Sequence, residues 1–282
     1  MTDTARLLQS RSFVELGARQ RARALLDAGS FRELLGPFDR LMSPWLPRQG
    51  IVPQADDGVV IAKGLLAGRH SVIAAIEGAF QGGSMGEVGG AKIAGALELA
   101  IEDNRNGIPT CAVLLLETGG VRLQEANLGL AAIAEIQAAI VELRAHQPVI
   151  GLIAGSVGCF GGMSIAAGLC SHLLVTREAR LGLNGPQVIE QEAGIAEYDA
   201  KDRPFIWSLS GGEQRHASGL VDAYVADDVD SIRQQLLQLL DKPSINHAGR
   251  HAWYLERLAR LGTDCPQVDA AAVRALYQGE AQ

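Results

Sequence analysis

A unit of about forty residues recurs along the middle of this chain, and every copy keeps one order: a short apolar β-rich run, a glycine-rich loop, then a helix-length run. The first copy is VIAAIEG (72–78), followed by GGSMG and GEVGGAKIAGALELAIEDN. The second is CAVLLLE (111–117), TGG and ANLGLAAIAEIQAAIVELRAH, and the third is VIGLIAG (149–155), SVGCFGG and MSIAAGL. Such a period, with strands apolar throughout, predicts a layered α/β core whose strands are covered on both faces. HLLVT, a loop around LGLNGP, a helix near QVIEQEAG and polar helices from Val229 onward follow. Nothing resembles a flexible linker, so residues 1–282 read as one domain with C-terminal helices over about 229–282.

Residues 1–50 read as a helical extension, with Phe13, Val14, Leu16, Leu25 and Leu26 spaced along one face. Gly29 ends that helix in this reading. Ser30 and Glu33 then match the S-x-x-E capping box, which predicts a second short helix at FRELL.

Composition narrows the function classes. With 25 basic and 32 acidic residues the chain carries a formal charge of −7, which excludes a basic nucleic-acid binder. The four cysteines, at 111, 159, 170 and 265, form no CxxC pair and read as buried free thiols. The N-terminus has no apolar segment ahead of a small-residue cleavage site, so a cytoplasmic protein is expected. Pro148 to Thr176 contains no Asp, Glu, Lys or Arg and is long enough to span a bilayer. Its clustered glycines argue against that, because loop backbone is not tolerated in hydrocarbon; a buried strand, loop and helix fit better. No contact with membrane or nucleic acid is expected.

Three local motifs fit known chemistry only in isolation. LSGGEQR (209–215) matches an ABC-type signature, yet no G-x-x-x-x-G-K-[ST] occurs for it to complement, and Ser210 reads as a helix cap. GGSMG (82–86) fits the G-x-S-x-G nucleophile elbow, but none of His172, His216, His247 and His251 stands in a recognisable context for its base. His247 and His251 are spaced i, i+4 and would need a third converging ligand to hold a metal; a solvated helix face is the simpler reading, and no metal is expected.

The glycine loops themselves carry the stronger signal, since each follows a strand and precedes a helix, where backbone N–H groups converge without side chains intervening. GCFGG (158–162) is the best candidate: Gly161 and Gly162 precede a helix without charges. Close packing alone would also call for these glycines.

These residues resemble a known family. ETGGVRLQE (117–125) is similar to the acidic-small-Gly-Gly-Ala-Arg-x-Gln-Glu motif of acyl-CoA carboxyltransferases, and GGSMGEVGGAKI (82–93) to their Gly-Gly-Ser-x-Gly-Glu segment. LLDAGSFREL (25–34), DGVVIAKGLLAGR (57–69), GSVGCFGG (155–162), GPQVIE (185–190) and SGLVD (218–222) fall in the family's order, so the resemblance runs from about residue 18 to 225. It implies a crotonase-like fold, repeated ββα units wound into a superhelix, and it reaches only the N-terminal half of such enzymes. The second half is then expected on another polypeptide. A four-cysteine zinc ribbon and a Met-Lys-Met biotin site are both missing. The size, the extension and the ETGGVRLQE variant are most similar to the beta subunits of malonate decarboxylases.

That resemblance implies decarboxylation of a malonyl group on an acyl-carrier subunit, yielding the acetyl thioester, together with a gamma subunit. The carrier bears a coenzyme-A-like arm, an acyl-carrier transferase subunit belongs to the system, and no cofactor is attached to this chain. Gly161 and Gly162 would bind the enolate oxygen, Gly119 and Gly120 shape the opposite wall, and Gly82, Gly83 and Ser84 form a floor near the pantetheine arm. Arg122 would bind phosphate or pair with Glu117 or Glu125, the pair being favoured. A biotin-dependent carboxyltransferase and a non-catalytic scaffold subunit are the alternatives.

Overall fold

The computed structural model describes residues 10–53, 57–243, 247–261 and 269–278. Seven strands form one sheet in sequential order: β1 (Arg32–Leu35), β2 (Val59–Leu66), β3 (Arg69–Ile76), β4 (Thr110–Leu115), β5 (Val149–Ile153), β6 (His172–Thr176) and β7 (Ala223–Val225). The first three pair antiparallel, and β3 to β7 are parallel. The parallel part is the repeat read from sequence: α2 (Glu87–Arg105), α3 (Ala126–Leu143) and α4 (Gly162–Leu169) connect β3 to β4, β4 to β5 and β5 to β6.

Alternation along each strand builds two cores. Val72, Ala74 and Ile76 face Ile93, Leu97 and Ile101 of α2 and Ile133, Ile136 and Ile140 of α3. Their neighbours Ile73 and Ala75 face the other way, onto Ala22 and Leu25 of α1 (Ala18–Leu25) and Ile232, Leu236 and Leu239 of α8 (Val229–Leu240). The three crossover helices therefore share one face, as right-handed βαβ connections require, and α1 with α8 closes the other. The uncharged stretch 148–176 is β5, loop, α4 and β6. Residues 123–143, apolar and long enough to cross a membrane by length and composition, bury Ile133, Ile136, Ile140 and Leu143 in the core.

The N-terminal fifty residues depart from the helical extension expected of them. Among the described residues one α-helix, the eight-residue α1, and a 3-10 turn at Leu46–Gln49 form there, and Leu26 is already extended. FRELL is not a helix: Arg32–Leu35 is edge strand β1, with Glu33 opposite Ala62. The capping-box residues are committed elsewhere. The Ser30 hydroxyl donates to the Asp27 carbonyl (2.8 Å) and accepts the Leu65 N–H (3.0 Å), while Glu33 accepts from Arg19 at 2.6 Å. Pairing with the open edge of β2 outweighs a local cap.

Beyond β6 come α5 (Pro186–Ala193), α6 (Arg203–Ser210) and α7 (Gly212–Ala217), and beyond α8 come α9 (His247–Leu261) and α10 (Ala270–Gln278). Ser210 ends α6 rather than capping the helix after it; its hydroxyl donates back to the Ile206 carbonyl (3.0 Å), and Gly211 occupies the N-cap of α7.

Candidate active site

The strands β3, β4 and β5 all end at one edge of the sheet, so their three glycine loops meet there. Main-chain bonds stitch them together. Met85 donates to the Gly120 carbonyl (2.7 Å) and accepts from the Arg122 N–H (2.8 Å), while Gly119 donates to the Gly82 carbonyl (2.8 Å). Thr118 donates to the Gly158 carbonyl (2.7 Å) and accepts from the Phe160 N–H (3.0 Å). Cys159 continues the ladder by donating to Arg180 (2.9 Å). Four isolated β-bridges run through Met85–Val121, Thr118–Cys159, Cys159–Leu181 and Arg180–Gly211, a small second ladder above the sheet.

Glycine is required where these loops touch. A Cβ on Gly83 would overlap the Glu117 carbonyl oxygen. Gly120 has φ +110° and Gly161 has φ +60°, ψ −145°, conformations that L side chains rarely adopt.

The N–H groups of the expected pair are not alike. Gly161 N–H already donates to the Leu183 carbonyl at 2.7 Å, so it is not open to a ligand as arranged here. Gly162 stands first in α4, where a helix offers its N–H no acceptor, and none is found among the described residues. Val121, which the sequence reading passed over, has the same property. The ladder bonds of its bridge to Met85 are made by its neighbours, its N–H has no acceptor among the described residues, and its nitrogen is 3.8 Å from where a Gly161 Cβ would be. The signal was present in the register: in a parallel bridge the central residue's own N–H points away from the partner strand. Gly119 and Gly120 have their N–H groups engaged, on Gly82 and on the Thr118 hydroxyl (3.1 Å). Gly82 is exposed and Gly83 is buried.

The charged residues of ETGGVRLQE brace the wall from within. Arg122 is 3% exposed and donates to Glu125 (3.0 Å), the Ser84 carbonyl (3.0 Å) and the Ser84 hydroxyl (3.2 Å), so the structural pair expected for it is the one made, with Glu125. Glu125 also accepts the Glu87 N–H (2.7 Å) at the start of α2. Glu117 forms a buried ion pair with Arg21 of α1 and packs against Gly78 and Gly155, which places one carboxylate at the junction of three loops. Arg21 spends its other donors on the Phe13 and Val14 carbonyls (3.0 and 2.5 Å).

Seen from solvent, this wall is open. A cavity of about 460 Å³ lies behind it, between α4 and α9, and another of about 440 Å³ lies beside Ser156 and Trp207. Neither is lined by Gly120, Val121, Gly161 or Gly162. Leu123, Ile165 and Leu183 around the wall are 81%, 52% and 61% exposed.

The rival motifs gain nothing. Ser84 has ordinary extended dihedrals (φ −61°, ψ 136°) rather than a strained elbow, and its hydroxyl is held by Arg122. Cys111, Cys159 and Cys170 are buried free thiols; Cys265 lies outside the described residues. Burial pushes the Cys170 thiol up to about 12 and Cys159 further.

Comparison with known proteins agrees with this geometry. A carboxyl transferase domain model matches residues 13–250. The malonyl-S-ACP:biotin-protein carboxyltransferase of Malonomonas rubra is 40% identical over 246 residues, 84% of this chain and 77% of that protein. A chain of a Pseudomonas malonate decarboxylase hetero-tetramer, solved with malonate, is 74% identical with a TM-score of 0.90, over 98% of this chain and 100% of that one. A transcarboxylase 12S chain is 28% identical with a TM-score of 0.66, over 81% of this chain but 41% of that one. The fold is therefore crotonase-like, and this chain belongs to the carboxyl transferase domain family.

Proposed function

We propose that this chain supplies one wall of an enzyme that decarboxylates a malonyl thioester, and that a gamma subunit of related fold supplies the other. The carrying observation is the pair of N–H groups, Val121 and Gly162, that have no acceptor among the described residues and flank the Gly120–Gly161 contact. Breaking the bond between Cα and the carboxylate releases CO2 and leaves its electron pair in an enolate, whose charge sits mainly on the thioester oxygen. Two fixed amide donors favour that oxygen more as the charge develops than before, and the rigid glycine ladder holds them without reorganisation. The enolate carbon then takes up one proton to give the acetyl thioester.

The remaining residues take supporting parts. Gly161 gives α4 its entry angle; Gly119 and Gly120 shape the facing wall; Gly82 lines the outer rim toward the arriving acyl arm, with Gly83, Ser84 and Arg122 bracing it from below. The acyl group comes on the coenzyme-A-like arm of an acyl-carrier subunit loaded by an acyl-carrier transferase, and no cofactor is attached to this chain. Relatives support this: one is a malonyl-S-ACP:biotin-protein carboxyltransferase, and two are chains of Pseudomonas malonate decarboxylase assemblies, a hetero-tetramer and an MdcD-MdcE hetero-dimer. Exposed Leu123, Ile165 and Leu183 supply an apolar rim for the second half. A cytoplasmic location goes with this reading.

The 40% identity to a biotin-protein carboxyltransferase favours a second reading, transfer of the carboxyl group to a biotin carrier. Co-expression with the second half, followed by single-turnover CO2 release from the malonyl carrier with and without avidin, separates the two. Avidin-insensitive release is expected. No release from the pair alone, with carboxyl transfer appearing once a biotin carrier is added and abolished by avidin, selects the biotin reading; neither release nor transfer from the assembled pair overturns both.

A further inference from the structure

A cavity of about 460 Å³ lies between α4 and α9, behind the glycine wall. Its polar lining is basic: Arg215 and Arg250 stand there with the imidazoles of His247 and His251, and no Asp or Glu lines it. Its apolar lining comes from Leu173, Leu181, Leu183 and Leu220.

The cations are under-compensated. Arg215 donates through Nε to the Leu181 carbonyl (2.7 Å). Burial lowers its pKa, and the Tyr198 phenol partly offsets that. Arg250 donates to the Leu220 carbonyl (3.0 Å), and Arg144 stands near His247, donating to Leu169 (2.7 Å). Asp222 is the acid nearby; its carboxylate accepts the Leu173 N–H (2.7 Å) and lies 3.9 Å from His172 Nδ1. His247 Nε2 is buried without a hydrogen-bond partner. Two guanidiniums thus line the cavity with no carboxylate in its lining among the described residues, and a desolvated cation without a counter-charge is costly to hold.

We propose that this cavity binds an organic oxyanion, its phosphate or carboxylate group taken by Arg215 and Arg250 and its apolar body laid along the leucines. The volume exceeds what a bare inorganic anion needs, and the guanidinium fork suits both oxyanion types. The cavity adjoins the oxyanion wall through Leu183, whose carbonyl holds Gly161 N–H, so an occupant there would touch the segment that anchors α4.

Calorimetric titration of malonate, inorganic phosphate and dephospho-CoA into the full-length chain, in whatever assembly it purifies, tests this without requiring turnover. Saturable binding of at least one probe is expected, weakened about tenfold or more in Arg215→Gln, the loss of one charge-assisted bond. Binding of malonate alone assigns a carboxylate ligand; binding of either of the others assigns a phosphorylated one. Should Arg215→Gln not fold, Arg250→Gln carries the same expectation. No saturable binding of any probe, or unchanged affinity in the folded variants, overturns the proposal.

Discussion

Gly120 and Gly161 touch backbone to backbone: a Cβ on Gly161 would stand 3.2 Å from the Gly120 Cα, and a Cβ on Gly120 would stand 3.3 Å from the Gly161 Cα. Two loops from successive repeats are therefore held so close that a side chain on either residue would force its neighbour to shift.

Substitution at this contact is expected to cost both stability and turnover. Gly161→Ala forces an L residue into φ +60°, ψ −145°, a strain of about 1–3 kcal/mol, and pushes the loops apart. Loss of one aligned oxyanion donor lowers kcat on the order of 10²–10³-fold. Single-turnover CO2 release beside carrier affinity checks this; a normal rate in a folded, assembled variant would place the oxyanion site elsewhere.

Gly95 is the counterpart on the same fold. It lies exposed in the interior of α2, and a Cβ there meets nothing within 4 Å. Gly95→Ala is expected to stabilise the protein by about 0.5–1 kcal/mol and to leave turnover alone, read from urea midpoints and kcat.

The buried pair of Arg21 and Glu117 joins α1 to the base of the glycine loops. Arg21→Leu leaves a carboxylate buried without its partner and is expected to destabilise by about 3–5 kcal/mol. The double variant Arg21→Leu/Glu117→Leu should lose clearly less than the two single losses added. Additive losses in chemical denaturation would show the two side chains act independently.

Acidification should release Asp27. Its carboxylate accepts the Gly68 N–H (2.8 Å) and Ala67 N–H (3.0 Å) and pairs with Arg233, and the Gly68 bond foremost lowers its pKa. A lowered folded pKa means the contribution is complete above the ordinary aspartate value of about 3.9 and fades as pH falls through the folded value. The stability gap between the native chain and Asp27→Asn should be constant from pH 5 to 7 and shrink below about 4. A gap unchanged at pH 3 contradicts this.

Cys111, Cys159 and Cys170 should resist alkylation in the folded protein at pH 8, because burial raises all three thiols and leaves little thiolate. Peptide mapping after iodoacetamide treatment, native against denatured, reads this directly.

The repeat made β3 to β6 and α2 to α4 legible in the chain, because their apolar periods are long and agree with their glycine punctuation. β1 was not legible. Arg32–Leu35 carries a local helix signal, and what makes it a strand is the open edge of β2, a partner some thirty residues away. At the site, the glycine-loop positions could be read, but not which amides stay free. That depends on Leu183 reaching back to Gly161 and on the bridge register at Val121, relationships between loops that sequence spacing does not encode. For Arg122 the sequence left a choice of partners, and the structure places Ser84 and Glu125 within its reach.

The chain is also tied back on itself over a long span. Asp227 accepts the Ser12 hydroxyl (2.5 Å) and the Phe13 and Val14 N–H groups (2.7 and 2.9 Å), across more than two hundred residues. On a ribosome adding about 5–20 residues per second, residues 12–14 wait roughly ten seconds or longer for the carboxylate that fastens them. Until then the sheet face under α1 lacks α8 beside it, so a nascent chain stalled before residue 227 should engage chaperones that the released protein ignores.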